Sequence, residues 1–177
     1  MHPDRSGVNV SIEALERRDV ETVCSLAREI WREHYPPIIG TAQTEYMLAQ
    51  RYDPAIIRDE LAAGRIWWDI LREDGAMVAF ASAYVAEEAN EVKLDKLYVR
   101  LQCRRKGYGG MLIARTAERA RQVGCTKLAL AVNKHNSAAI AAYRKHAFSI
   151  REAVVKDIGS GFVMDDYIME KSIECGG

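Results

Sequence analysis

The sequence predicts a mixed-sheet α/β sandwich, on three observations. The hydrophobic period is helical from about residue 19 to residue 63, and turns strand-like from residue 66 onward. The pair Asp74-Gly75 stands between two strand-like runs, a strong signal for an antiparallel hairpin. Further on, a strand, a helix and a strand follow one another over residues 91–132, which requires a parallel crossover. Hairpins on either side of one such crossover give a sheet of both strand directions.

The elements follow in order. Val8–Leu15 alternates well enough for a first strand. Asp19 is a good helix N-cap. After it Val20, Val23, Cys24, Ala27, Ile30, Trp31 and His34 recur at helical spacing, with Glu21, Arg28, Glu29, Arg32 and Glu33 opposite. Pro36-Pro37 ends that helix. Thr41 caps a short helix through Leu48. Asp53-Pro54 opens another, and Gly64 stands just past its end, so residues 53–63 are the third helix. Ile66–Leu71 and Met77–Val85 are the hairpin strands, Glu87–Asn90 turns, and residues 91–99 form the next strand. A helix over 107–123 buries Ile113, Thr116, Ala117, Ala120 and Val123 and exposes Arg115, Glu118, Arg119 and Gln122. Lys127–Val132 is a strand, 137–146 a helix and Phe148–Ile158 a strand. Gly159-Ser160-Gly161 turns into a last strand near Met164–Lys171.

The stretch with most chemistry is Arg104-Arg105-Lys106-Gly107-Tyr108-Gly109-Gly110, between the strand 91–99 and the helix that follows. Glycine lets the backbone approach a ligand closely. The first N–H groups of a helix have no internal partner and sit at the positive end of its dipole. Such a junction grips phosphate, and three flanking cations reinforce it. The P-loop spacing is absent. The dinucleotide fingerprint would need its third glycine where Leu112 stands, which argues against a dinucleotide-binding oxidoreductase. The spacing present is Arg104-x-x-Gly107-x-Gly109.

About thirty residues on, after the strand ending at Val132, comes Asn133-Lys134-His135-Asn136-Ser137, then a helix through Ala138, Ala141, Ala142 and Tyr143, closing on His146-Ala147-Phe148. The two motifs together, in this order, resemble the GNAT superfamily of acetyl-CoA-dependent N-acetyltransferases over roughly Ala76 to Lys171. Ala147 stands where the family usually has glycine, a departure that touches turn geometry. The resemblance implies a seven-stranded GNAT-like sheet, mainly antiparallel, whose fourth and fifth strands splay into a wedge with flanking helices. It implies acetyl-CoA as cosubstrate. Main-chain N–H groups from Arg105 to Gly110 would hold its pyrophosphate, with charge from Arg104, Arg105 and Lys106. Asn136 would hydrogen-bond the pantetheine arm. Leu97, Tyr98 and Val99 would pair with that arm as an added strand, one of their N–H groups polarising the thioester carbonyl. Tyr143 would stand beside the sulfur.

Acetyl transfer to an amine needs an acid for the thiolate and a base for the amine. A thiol titrates near about 8.5 and a tyrosine near about 10, close enough for proton transfer, so Tyr143 fits the acid. It also fits an amphipathic core tyrosine beside Ala139. Many GNAT enzymes take the base from a glutamate on the fourth strand. Here Glu91 and Asp95 lie on one face of that strand, and either serves, as does a chain of water. Acceptor specificity falls to the segment Trp31-x-x-His34-Tyr35-Pro36-Pro37, followed by Tyr46, read as a pocket wall; Trp31 alone also reads as core. The Tyr-Pro-Pro segment and Gly161–Tyr167 resemble a bacterial branch of the superfamily that includes polyamine N-acetyltransferases. Asp165 and Asp166 then either receive a cationic amine or cover an edge strand or the seam of a homodimer.

Bulk properties set the remaining bounds. A chain of 177 residues, 49% apolar and 28% charged, is expected to form one domain with a full core over residues 1–177. Zero net charge disfavours nucleic acid as a partner. The Met1–Arg5 start is no signal peptide and no apolar run reaches spanning length, so the cytoplasm is expected, away from membranes. The four cysteines and four histidines show no ligand spacing, so no metal is expected. Two functions stay in contention: direct acetyl transfer to a small amine or an N-terminal amine, and a non-catalytic acyl-CoA-binding module.

Overall fold

The computed structural model describes residues 7–87 and 90–174. Cys175, the Met1–Arg5 start and part of the Glu87–Asn90 turn lie outside the described residues. The elements are β1 (Val10–Ala14), α1 (Val20–His34), α2 (Pro36–Ile39), α3 (Thr41–Arg51), α4 (Pro54–Ala63), β2 (Trp67–Glu73), β3 (Ala76–Val85), β4 (Glu91–Val99), α5 (Tyr108–Gln122), β5 (Lys127–Asn133), α6 (Ser137–Lys145), β6 (Ser149–Gly159) and β7 (Phe162–Ser172). The strands form one sheet of order β1-β2-β3-β4-β5-β7-β6. Every neighbouring pair is antiparallel except β4 and β5, the crossover through α5. This is the mixed seven-stranded sheet that the order of elements predicts.

The sheet has a core on each face. On one, α1, α3 and α4 bury Ile30, Trp31, Met47, Leu48 and Ile57 against Trp68, Ile70 and Phe80. On the other, α5 buries Leu112, Ile113, Ala117 and Ala120 against Leu71, Val78, Val92 and Leu130. Burial of a large apolar side chain stabilises by about 1.5–3 kcal/mol, so these faces dominate the packing. Local chemistry agrees at the punctuation points. Asp53 caps α4, its Oδ1 accepting from Ala55 N–H at 2.7 Å, and Gly64 closes it in the left-handed region at φ +66°. Asp74 and Gly75 both have positive φ, +48° and +85°, as the tight hairpin turn demands.

Several local expectations give way to tertiary packing. Asp19 precedes α1 but makes no side-chain cap; its carboxylate accepts instead from Arg72 Nη2 at 3.0 Å. Pro36-Pro37 does not simply end a helix. It opens the one-turn α2, since proline suits a first helical position. Gly40, not Thr41, flanks α3, which runs on past Leu48 to Arg51. At the end of α5 Val123 is exposed at 50%, whereas Leu112 is fully buried. Arg119 is not a free surface cation: its guanidinium grips the buried Asp69 of β2 through two bonds of 2.9 and 2.8 Å. That bidentate pair fastens α5 to the sheet.

The α6–β6 turn carries a measurable strain. Ala147 sits at φ +66°, where Phe148 N–H reaches back to Tyr143 O at 3.0 Å. A left-handed alanine costs about 1–2 kcal/mol. Ala147→Gly removes that strain and adds about 0.4–1 kcal/mol of chain entropy to the unfolded state. The expected outcome is a net gain of roughly 0.5–1 kcal/mol in urea denaturation. A loss of stability would mean that the alanine methyl packs usefully.

Candidate active site

β4 and β5 are partners for three residue pairs only: Glu91 with Lys127, Val92 with Leu128, Lys93 with Ala129. Beyond them β5 continues along β7 as far as Asn133 opposite Asp166, and β4 continues along β3 as far as Val99 opposite Ala79. The gap between the two is a cleft of about 1210 Å³. Its β4 wall holds a bulge. Ser82 of β3 faces Lys96 and Ala83 faces Leu94, which leaves Asp95 as an extra residue. The bulge reverses the alternation. Val92, Leu94, Leu97 and Val99 all meet the α5 side, and Tyr98 meets the α1 side. Arg100 N–H donates to Val78 O at 2.8 Å, so the antiparallel alternation pairs Tyr98 with β3. Leu97 and Val99 then turn their main-chain groups away from β3, into the cleft.

One mouth of the cleft is the loop 104–110. Arg105 and Gly107 take positive φ, +64° and +84°, and Gly107 is the residue before α5. Tyr108, Gly109 and Gly110 therefore begin the helix with N–H groups free of intrahelical partners. Arg104 donates from Nε to Val99 O at 3.4 Å, across the mouth. The structure turns two loop side chains elsewhere. Lys106 Nζ binds Glu73 at 2.9 and 3.0 Å, and the Tyr108 hydroxyl donates to the same carboxylate. A Cβ on Gly110 would come 2.7 Å from His146 Cε1, so a side chain there would have to displace the His146 ring.

Midway stand Asn136 and Tyr143. Asn136 is buried, and its Oδ1 accepts from Ala139 N–H at 3.4 Å as the cap of α6. The same oxygen accepts from His34 Nε2 of α1 at 3.1 Å, so His34 reaches across the cleft. Burial lowers the His34 pKa, and the nearby Arg104 charge adds to the effect, so the ring is neutral at pH 7. Tyr143 lines the cleft with its ring 5.7 Å from Phe148. Burial pushes its hydroxyl well above the usual tyrosine range, with Tyr35 adding to the effect. Its proton is therefore present at any working pH.

The other end is aromatic and charged. Trp31 is core, 1% exposed, and floors the cleft with its ring 4.3 Å from Tyr35. The Tyr35 and Tyr98 hydroxyls lie 3.3 Å apart. Arg51, at the last turn of α3, holds Asp95 at 3.2 Å, and Lys96 holds the same Oδ2 at 2.6 Å. Arg51 was legible as an inward-facing position, because it falls on the face of Thr44, Met47 and Leu48; ending the helix at Leu48 hid it. Asp166 of β7 lines this end, while its neighbour Asp165 pairs with Lys134. Besides Lys106, two expected site residues are not brought to the cleft. Glu91 lies at the closed end of the wedge, bound to Arg151 at 2.7 Å. Tyr46 donates to Ile158 O at 2.7 Å and so fastens the β6–β7 hairpin to α3. Among the described residues no group of three or more His, Cys, Asp or Glu is placed to hold a metal ion, and no helix is long and apolar enough to cross a membrane.

Residues 22–148 match the model of the Acetyltransferase (GNAT) family. The chain belongs to the GNAT acetyltransferase family. It is an acetyl-CoA-dependent N-acetyltransferase by that membership. Among its relatives is the spermidine N(1)-acetyltransferase of Thermoplasma acidophilum, 25% identical over 171 residues, which are 94% of this chain and 99% of that protein. The PaiA N-acetyltransferase of Thermoplasma acidophilum, solved with coenzyme A, shares the fold at a TM-score of 0.81 and 23% identity, covering 93% of this chain and 99% of that one. YncA of Salmonella typhimurium, solved with its cofactor acetyl-CoA, does so at 0.66 and 18%, covering 94% and 95%.

In this GNAT chain both fourth-strand carboxylates are committed to cations. Burial alone would raise the Asp95 carboxyl, but Arg51 and Lys96 outweigh it and hold it down to about 2. A pKa depressed in the folded state stabilises above the unfolded value of about 3.9, and that stabilisation is lost as pH falls through about 2. The shift corresponds to about 2 kcal/mol. Asp95→Asn should therefore lose at least about 2 kcal/mol in urea denaturation at pH 7, since it also strands two buried cations. The gap from wild type should narrow between about pH 4 and pH 2. A gap that does not change with pH would show that the ion pair is not its source.

Proposed function

We propose that this protein transfers the acetyl group of acetyl-CoA directly to a small amine in a ternary complex, with a polyamine of the spermidine type as acceptor. The observation that carries the reading is the single cleft. It runs from the helix N-terminus at 107–110, past Asn136 and Tyr143, to the aromatic and acidic end at Tyr35 and Asp166. Its two ends suit the parts of a ternary complex, with cofactor at one mouth and amine at the other. The polyamine assignment rests on the spermidine-acetylating relative and on the tyrosine rings at that end of the cleft, whose faces suit a cation. We take the whole chain as one catalytic domain, acting in the cytoplasm, alone or as a homodimer.

The roles follow the geometry. The N–H groups of Tyr108, Gly109 and Gly110, with those of the preceding loop, receive the pyrophosphate, and Arg104 and Arg105 add charge. Lys106 contributes little, being spent on Glu73. Leu97 and Val99 offer main-chain groups to the pantetheine, and Asn136 offers its amide. A main-chain N–H of this strand polarises the thioester carbonyl. Tyr143 protonates the departing thiolate. Its raised pKa makes it a weaker acid in isolation, yet a thiolate expelled into the same dry cleft is a correspondingly stronger base.

Gly109→Val should weaken acetyl-CoA binding by roughly tenfold or more in calorimetry, because the side chain fills the cradle, while Lys106→Ala changes it by less than about threefold, removing one exposed charge. Equal effects would move the pyrophosphate off this loop. Tyr143→Phe keeps the ring and deletes the hydroxyl. It should lower turnover by about tenfold to a thousandfold with cofactor affinity nearly intact, and wild-type turnover would make the tyrosine structural. The acceptor is tested by thiol release from acetyl-CoA across a panel of amines. Spermidine should be acetylated; a protein that accepts only an amino acid or a peptide N-terminus is no polyamine enzyme.

A further inference from the structure

We propose that Asp166 is the base that takes the proton from the attacking amine. The proposal rests on the acetyl-transfer reading and adds the group that the fourth strand does not supply. Three carboxylates line the cleft. Glu60 accepts from Trp68 Nε1 at 2.8 Å, and Asp95 is clasped by Arg51 and Lys96. Asp166 differs: among the described residues it has no hydrogen bond and no ion pair, though it is only 5% exposed. Neither of its oxygens is sealed off from solvent, and the residue lines the cleft, so what opening the carboxylate keeps is toward the space where a substrate would lie.

Its place in the sheet points the same way. Asp166 lies opposite Asn133 at the end of β5, where β5 and β4 are farthest along their divergence, and opposite Val154 of β6. It borders the cleft from the side of α1 and α3, the side away from the pyrophosphate loop. Tyr35 is within electrostatic reach of both Tyr143 and Asp166, so the acid and the base flank one tyrosine.

The charged groups that face it set its affinity for a proton. Burial and Asp165, its neighbour on β7, favour the protonated form. Arg51 of α3, Lys93 of β4 and Lys134 of the β5–α6 loop oppose them, and Tyr35 adds a neutral hydroxyl. The balance leaves the carboxyl above its ordinary range, where it is a better base than a surface aspartate. The reaction then balances. An ammonium gives one proton to the Asp166 carboxylate, which passes it to solvent. The nitrogen bonds to the thioester carbon as the C–S bond breaks. Tyr143 gives its proton to the sulfur, and the second proton shed by the nitrogen restores the tyrosine.

The test uses the full chain with acetyl-CoA, with spermidine and the monoamine benzylamine as acceptors. Asp166→Asn should lower kcat by roughly a hundredfold for both amines, with acetyl-CoA affinity within about twofold of wild type. The part of the acid limb of kcat/KM that follows a carboxyl group should vanish, leaving the amine's own ionisation, and the deficit should shrink at high pH, where the free amine is already neutral. A second readout needs no turnover. Removing an unpaired buried carboxylate should keep or raise the Tm at pH 7, and the difference should close below the ordinary carboxyl range, because a raised folded pKa penalises the ionised form only above it. Asp166→Ala serves if the amide does not fold. An unchanged kcat and acid limb would overturn the proposal, as would a fall in Tm at pH 7, the mark of a structural partner. A rise in KM for spermidine alone would overturn it too and make Asp166 a cation site. Wild-type protein that releases no thiol with any amine would overturn acetyl transfer itself, and the base with it.

Discussion

Everything in the site depends on one failure of pairing. After Lys93 and Ala129, β4 and β5 stop being neighbours, although both continue. Main-chain groups cannot be left unpaired in a dry interior. The divergence is stable because each strand keeps its outer partner, β3 for one and β7 for the other. It is directed because Asp95 is inserted as a bulge. Arg51 reaches from the end of α3 to that one carboxylate, and Lys96 closes on the same oxygen. The helical layer thereby fixes the strand at the point where it turns away. The inner edges of the wedge are left with donors and acceptors that a ligand with amide groups of its own can meet.

The protein treats its buried acids in contrasting ways. Asp69 meets a bidentate arginine and ties α5 to β2, which sets where the first turn of α5 points. Asp95 meets two cations and sets the bulge. Both are spent on shape. Asp166, buried about as deeply as Asp69, makes no hydrogen bond or ion pair within the described residues, and it lies where the proposed acceptor enters. Two architectural acids fix the frame, and the third is the one proposed as the base. His34 shows the same economy. Its bond to Asn136 joins α1 to the cap of α6, so a side chain read from the sequence as pocket wall also orients the amide at mid-cleft.

The strand directions, the hairpin at Asp74-Gly75 and the phosphate-binding junction were legible because each is written in neighbouring residues. The motif spacing also put Asn136 and Tyr143 at the helix after β5, and the structure brings both to the cleft. Other parts were illegible for a common reason. Glu91 and Asp95 share strand parity, yet the β4–β5 pairing places one at the closed end against Arg151, and the bulge hands the other to Arg51. Tyr46 carries the same side chain as Tyr35, but packing on the β6–β7 hairpin takes it out of the cleft. Lys106 lies in the basic run yet belongs to Glu73, thirty-three residues away.

The sequence by itself determined the period of each element, the caps at Asp53 and Gly64, the glycines that open α5, and hence a mixed sheet with a glycine-rich helix start after its fourth strand. Such features depend on backbone geometry and on neighbours within a few residues. Only the tertiary structure decided which charges cancel. Whether an aspartate is a strut or a base depends on the cations that long-range packing brings to it, and in a poorly screened interior a few ångströms decide between the two.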